Sequence, residues 1–78
     1  MTLADLKAGQ PARILRVDST AAGVLRLMVL GLVEGTPVRF LQAAIGGDPI
    51  EVDVMGASVS LRREQARSFE VALEHPRD

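Results

Sequence analysis

The chain has 78 residues, of which 47% are hydrophobic and 24% charged, so we expect one small folded domain with no room for a second. The absence of cysteine excludes disulfides, iron–sulfur clusters, thiolate zinc sites and cysteine nucleophiles. The formal net charge of −1 argues against nucleic-acid binding, because domains that bind nucleic acid usually carry a strong basic excess.

The hydropathy of the chain bears on where the protein works. The N-terminal residues lack the basic start and apolar run of a signal peptide. The longest uncharged apolar run, Leu27 to Val33, is far shorter than the roughly 20 residues of a membrane-spanning helix. We therefore expect a soluble, cytoplasmic protein with no direct membrane insertion.

The first elements are a short turn and a strand. Thr2 followed three residues later by Asp5 predicts a capping box for one short helical turn. Residues 12–17 are then predicted to form the first strand. Ile14 and Leu15 are adjacent apolar residues within it, which predicts burial on both faces of the strand.

One longer helix is predicted at residues 21–30. Asp18, Ser19 and Thr20 supply candidate N-caps before it, and Gly31 ends it. The spacing of the apolar residues, at 100° per residue, places Val24 and Leu27 on the core-facing stripe, with Met28 and Leu30 at its margins.

The opposite face of this helix is unusually apolar. It carries Ala22, Leu25 and Val29, with Arg26 beside them as its single charge. Scattered apolar residues are normal on protein surfaces, so this face has an ordinary interpretation. The alternative interpretation is a docking surface for another protein or for a second copy of this chain. Peripheral membrane contact is disfavoured, because membrane-surface helices usually carry several basic residues.

The rest of the chain alternates between apolar and polar residues. Four further strands are predicted, at 36–41, 50–54, 57–61 and 68–73. A helical turn at 62–66 precedes the last strand. The pattern predicts a mainly β fold, a small five-stranded and partly closed β-barrel with one α-helix inserted between strands 1 and 2 and short helical turns. Closure is favoured because it removes unpaired strand edges.

Candidate catalytic and metal-binding residues are few. The possible metal ligands form two groups: Asp48, Glu51 and Asp53, and then Glu74, His75 and Asp78. We interpret both groups as solvated surface carboxylates, because a closed transition-metal site normally uses several histidine or cysteine ligands. The single histidine, His75, lies in the predicted C-terminal tail, whereas Ser58 and Ser60 lie on a predicted strand, so we expect neither an enzyme nor a cofactor. Arg62, Arg63 and Arg67 form a small basic cluster, interpreted as a solvated helical turn or as a contact for an acidic partner.

Several strings of residues together carry a resemblance to a known family. They read Leu3-x-x-Leu6-x-x-Gly9, Arg26-Leu27-x-x-Leu30-Gly31-Leu32-x-x-Gly35-Thr36-x-Val38, Gly47-Asp48-Pro49-Ile50, Val54-x-Gly56 and Leu61-Arg62-x-x-x-Ala66. In this order they run along nearly the whole chain, which resembles the FeoA family, the small ferrous iron transport protein A of bacteria. Among these positions, Leu27, Leu30 and Leu61 are predicted to lie in the core.

The resemblance implies an SH3-like barrel, which we expect to occupy residues 1–74 as a single domain, with a flexible tail at 75–78. It also implies a non-enzymatic accessory protein of bacterial ferrous iron uptake. Such a protein is expected to bind the cytoplasmic side of FeoB, the membrane permease with a GTP-binding domain, and to modulate transport. We expect the outward helix face to be the partner-binding site: Ala22, Leu25, Arg26 and Val29.

Two positions depart from the family pattern. The family often has proline where Ala44 stands, so the loop here is expected to be less rigid. Val29 stands where relatives commonly carry a polar residue, and its apolar side chain enlarges the outward face. Two alternatives to the adaptor role therefore stay open. One is self-association into a homo-oligomer, and the other is a regulatory module that binds iron or another divalent cation.

Overall fold

The structure, a computed structural model, describes residues 1–74. It contains five strands: β1 (Pro11–Val17), β2 (Pro37–Ala43), β3 (Ile50–Val54), β4 (Ala57–Leu61) and β5 (Phe69–Leu73). They form one antiparallel sheet in the spatial order β4-β3-β2-β1-β5. A helix, α1 (Val24–Val29), lies between β1 and β2, and a second, α2 (Arg63–Ala66), lies between β4 and β5. The predicted mainly β fold is confirmed, and the predicted tail at 75–78 lies outside the described residues.

The N-terminal turn covers one edge of the sheet. The predicted capping box is present: the Thr2 hydroxyl accepts from the backbone N–H of Ala4, and an Asp5 carboxylate oxygen accepts from the Thr2 backbone N–H at 2.7 Å. The Met1 carbonyl accepts from the Val71 backbone N–H at 2.9 Å. The start of the chain therefore continues the hydrogen bonding beyond the outer side of β5.

A β-bulge in β1 corrects one sequence-based expectation. Ile14 pairs with Val71 and Arg16 pairs with Glu70, so Leu15 has no partner on β5 and is the extra residue of the bulge. Ile14 is buried, whereas Leu15 is 52% exposed. The predicted two-sided burial of this strand is wrong, because successive side chains point to opposite faces and the face that carries Leu15 is exposed to solvent. The bulge then leaves Arg16 on the same exposed side as Leu15.

Helix α1 begins later than the sequence indicates. Gly23 precedes it with φ at 78°, a left-handed conformation that ends any continuous helix from residue 21. The predicted N-cap Asp18 instead accepts hydrogen bonds from the backbone N–H and hydroxyl of Thr20 in a separate turn. The predicted helix start and caps are therefore wrong, and the helix has six residues.

The core is entirely apolar within residues 1–74. Val24 and Leu27 of α1 are fully buried, as predicted. Leu30 was expected in the core and is instead 47% exposed, while Leu32 is fully buried. The reason is that α1 ends at Val29, with Leu30 as its C-cap, and the chain turns at Gly31, where φ is 113°, so that Leu32 enters the core in place of Leu30.

Candidate docking surface

Helix α1 has one buried side and one side that faces solvent. Leu25 is 65% exposed and Val29 is 87% exposed. These two residues are four positions apart and so lie one above the other on the same helix face. Arg26 is also exposed, and Ala22 is exposed in the turn before the helix. These four residues, called the α1 surface below, are all accessible, and their role in binding stays a prediction.

The apolar area extends beyond the predicted residues. Leu30 and Val33, which follow α1, are also substantially exposed. Large apolar side chains are therefore accessible at four positions between residues 25 and 33. The sequence signal for this extension is the uncharged run from Leu27 to Val33, which is too long for the buried stripe of so short a helix.

Close packing at both ends holds α1 in place. A Cβ added to Gly23 would collide with the side-chain amide of Gln65 on α2. A Cβ added to Gly31 would lie 3.2 Å from Cγ1 of Val54 on β3. Substitutions on the solvent side of α1 leave these contacts untouched, so the α1 surface can be altered without disturbing the core.

A shallow groove of about 280 Å³ separates the turn before α1 from α2. Ala22 lies on one wall, and Arg62 and Gln65 lie on the other. Ala22 is therefore the member of the α1 surface that borders a second element, which the sequence-based interpretation did not foresee. No side-chain polar atom that is buried in residues 1–74 lacks a hydrogen-bond partner, so the groove presents no unpaired buried polar group from this part of the chain.

A further accessible apolar residue lies on the loop between β2 and β3. Ile45 is fully exposed at the tip of this loop. Arg63 holds the base of the same loop, because its Nε donates to the Gly47 carbonyl and its backbone N–H donates to Asp48 Oδ1 at 3.0 Å. Its Nη1 also donates to the Ala4 carbonyl at 2.7 Å.

These three contacts correct the interpretation of Arg63 as part of a solvated or partner-binding basic cluster. Its side chain is half-buried and joins α2 to two backbone segments that are distant in sequence. Arg62 and Arg67, by contrast, are exposed. The sequence does not distinguish Arg63 from Arg62 and Arg67, because only the folded chain brings the carbonyls of Ala4 and Gly47 within reach of one side chain.

The candidate metal ligands engage other partners or lie apart. Asp48 accepts from the backbone of Arg63, and Glu51 accepts from the Gln42 side chain at 2.9 Å. Glu74 forms an ion pair with Arg13 at 3.1 Å. Within residues 1–74 no three His, Cys, Asp or Glu side chains are grouped so that they could hold a metal ion. His75 and Asp78 lie outside the described residues.

The longest helix in the described part of the chain has six residues, and none there is long and apolar enough to cross a membrane.

Comparison with known proteins finds similar sequences and similar structures along nearly the whole chain. The model of the FeoA domain matches residues 1–73. The chain is 37% identical, over 73 residues, to a Porphyromonas gingivalis fusion of Fe(2+) transport protein A with the Fe(2+) transporter FeoB. That match covers 94% of this chain and 9% of the fusion protein, so the chain spans less than a tenth of this relative's length.

Solved structures agree with the sequence match. FeoA from Chlorobium tepidum superposes with a TM-score of 0.88 at 38% identity, over 100% of this chain and 74% of that one. FeoA from Stenotrophomonas maltophilia, solved in complex with zinc and described as a prokaryotic SH3 domain protein, superposes with a TM-score of 0.79 at 32% identity. This second match covers 92% of this chain and 89% of that one. The predicted SH3-like fold and the predicted resemblance are both confirmed.

Proposed function

The chain belongs to the FeoA family, and on that premise we propose that it is a non-enzymatic accessory protein of ferrous iron transport that binds an FeoB-type permease and modulates its transport. The observation that carries this proposal is the Porphyromonas gingivalis relative, in which protein A and FeoB are fused. Fusion keeps two domains at a high effective concentration, which favours a contact between them even when its intrinsic affinity is low. The same contact formed between separate chains is the function proposed here.

We infer that the α1 surface makes this contact. Leu25 and Val29 expose apolar side chains on a helix whose other side is packed into the core. Burying the exposed part of each would contribute roughly 1–2 kcal/mol to association. Because α1 is fixed by its packing before the partner arrives, little of this gain is lost to ordering the helix.

We propose that the chain works on the cytoplasmic side of the inner membrane as a peripheral partner of the permease, without inserting into the bilayer. The support for this location is the Porphyromonas gingivalis relative, in which protein A is joined to the transporter. Arg26, the one charge of the α1 surface, is placed to pair with an acidic residue at the edge of the apolar contact.

The test is ferrous iron uptake in cells that lack this gene. Wild type should restore uptake, and Leu25→Glu should not, because a carboxylate would have to be buried at the interface. Leu15→Glu is the matched control: it introduces the same charge at an exposed leucine in the bulge of β1, a different element from α1. It should restore uptake, with protein levels of all three measured in parallel.

The possible outcomes test two claims separately: that the chain is an accessory protein of iron uptake, and that the α1 surface makes the contact. Full uptake with Leu25→Glu at a normal protein level would contradict the α1 surface while leaving the accessory role in place. In that case Ile45→Glu tests the β2–β3 loop as the contact. Failure of wild type at a normal protein level would contradict the accessory role itself.

Self-association through the α1 surface is the alternative that a specific observation favours. Val29 is the most exposed apolar side chain of α1, and an apolar patch of this kind can be buried against a second copy as readily as against a permease. Sedimentation of wild type and Leu25→Glu distinguishes the two: a dimer that this substitution abolishes supports self-association through α1.

A further inference from the structure

The outer edge of β4 differs from the other exposed edge of the sheet. β4 ends the sheet with β3 as its only neighbouring strand, whereas Met1 and Thr2 lie along the outer side of β5. Edge strands are usually protected from pairing with other chains by charged residues, prolines or bulges. β4 reads Ala-Ser-Val-Ser-Leu, pairs with β3 without a bulge and carries none of these features.

The hairpin geometry fixes which backbone groups of β4 face outward. β3 and β4 are joined by a two-residue turn, so Val54 and Ala57 form a hydrogen-bonded pair. Pairs alternate along an antiparallel ladder, so Val59 also bonds to β3, while the N–H and C=O groups of Ser58 and Ser60 point away from it. Within residues 1–74 no backbone partner satisfies these four outward groups.

We propose that two copies of this chain pair through β4 in an antiparallel, two-fold arrangement centred on Val59. In this register Ser58 lies opposite Ser60 of the second copy, and Ser60 lies opposite its Ser58. Each of these two pairs exchanges two N–H···O=C bonds. The two-fold arrangement therefore satisfies every outward backbone group of both β4 strands and joins two five-stranded sheets into one.

In this register the side chains of the two β4 strands are compatible across the two-fold axis. Ser58 and Ser60 are exposed, uncharged and small, so they oppose each other without repulsion. The nearest acidic residues, Glu51 and Asp53, lie on β3 opposite these serines. In the dimer, Glu51 would be three strand spacings, about 14 Å, from Asp53 of the second copy. That exceeds the Debye length of about 8 Å at physiological ionic strength, so their repulsion is screened.

A second copy fits this edge better than an unrelated extended peptide. An unrelated extended peptide would lose conformational freedom on pairing with β4, whereas β4 of a second copy is already held extended by its pairing with β3. This inference is independent of the permease contact, because β4 and α1 are different elements. Loss of one therefore says nothing about the other.

Hydrogen exchange at single amides gives the direct test on the full-length wild-type chain. The Ser58 and Ser60 amides should exchange about tenfold more slowly when about 90% of the chain is dimeric, since they exchange only from the monomer. The Val59 amide, already bonded to β3, is the internal control, and its exchange should change far less. Exchange at Ser58 and Ser60 that stays constant up to about 1 mM protein, together with a monomeric sedimentation profile, overturns the proposal.

Two double variants test the register. Ser58→Lys with Ser60→Lys places like charges directly opposite each other at both pairs and should raise the dimer dissociation constant about two- to thirtyfold. Ser58→Lys with Ser60→Glu places opposite charges there and should lower it. All of these side chains lie on the exposed face of β4, but Ser60→Glu also lies directly opposite Glu51 of β3, so the free energy of unfolding of each variant is measured in parallel. If both variants shift the constant in the same direction, or if Leu25→Glu alone abolishes the dimer, the β4 register is wrong. If wild type stays monomeric and an added extended peptide slows exchange at the Ser58 and Ser60 amides, the partner of the β4 edge is a segment of another protein and the dimer proposal is wrong.

Discussion

The Arg63 guanidinium donates from Nε to the carbonyl of Gly47, a residue sixteen positions earlier in the chain. The same side chain reaches the Ala4 carbonyl through Nη1. One side chain on α2 therefore connects the loop between β2 and β3 to the N-terminal turn. Both acceptors are backbone groups, so the contact depends on the shape of the fold rather than on the side chains at the other end.

Replacing Arg63 should destabilise the protein. In Arg63→Lys all three donors sit on one nitrogen, so they cannot replace the separate Nε and Nη1 donors that the planar guanidinium directs at the two carbonyls. We expect the free energy of unfolding to fall by about 1.5–3 kcal/mol, the range for hydrogen bonds to charged groups. Urea unfolding followed by circular dichroism measures this loss.

Arg67→Lys is the control for this substitution. Arg67 is exposed and forms no side-chain hydrogen bond within residues 1–74, so its replacement should change the free energy of unfolding by less than about 0.5 kcal/mol. Equal effects of the two substitutions would contradict the connecting role of Arg63.

The turn before α1 makes the stability depend on pH in a defined direction. The hydroxyl of Thr20 and then its backbone N–H donate to the Asp18 carboxylate, and these hydrogen bonds lower the pKa of Asp18 below its ordinary value. A carboxyl with a depressed folded-state pKa stabilises the fold above its unfolded pKa. That contribution is lost as the pH falls through the folded-state pKa.

Thr20→Val should therefore raise the pKa of Asp18 toward its ordinary value, because it removes the hydroxyl donor and keeps the side-chain shape. An NMR titration of the Asp18 carboxyl carbon measures the shift. Ser19→Ala removes a nearby hydroxyl that makes no bond to Asp18 within the described residues and should leave this pKa unchanged. A titration midpoint of Asp18 that is the same in Thr20→Val and wild type would show that the hydroxyl is not the cause.

The strands were predictable because their signals are local. Ile50, Val52 and Val54 alternate with acidic residues, and the structure buries these three in the predicted strand. The exposure of Leu25 and Val29 also followed from helical periodicity alone. These features depend on neighbours within a few positions, which the sequence displays directly.

The misplaced features depend on contacts between distant parts of the chain. Because the chain turns at Gly31, Leu32 and not Leu30 lies in the core. Helical periodicity cannot predict this, because it assumes that the helix continues. The bulge at Leu15 is set by pairing with β5, near the other end of the chain. The half-buried position of Arg63 likewise requires carbonyls that only the folded chain brings together.

Gly23 gives the sharpest test of such a distant contact. Gly23→Ala should cost about 1 kcal/mol for a non-glycine residue with positive φ. It should cost more because the new methyl group displaces the Gln65 amide, whose Oε1 accepts from the Arg62 backbone N–H at 3.0 Å. Gly9→Ala is the matched control, since Gly9 has a similar φ of 84° and open space at its Cβ position. The difference between the two unfolding free energies, measured in urea, isolates the collision. Adding Gln65→Ala to Gly23→Ala should bring the cost of the glycine substitution down to that of Gly9→Ala. If Gly23→Ala costs no more than Gly9→Ala in the presence of Gln65, α1 is not held against α2 at this point.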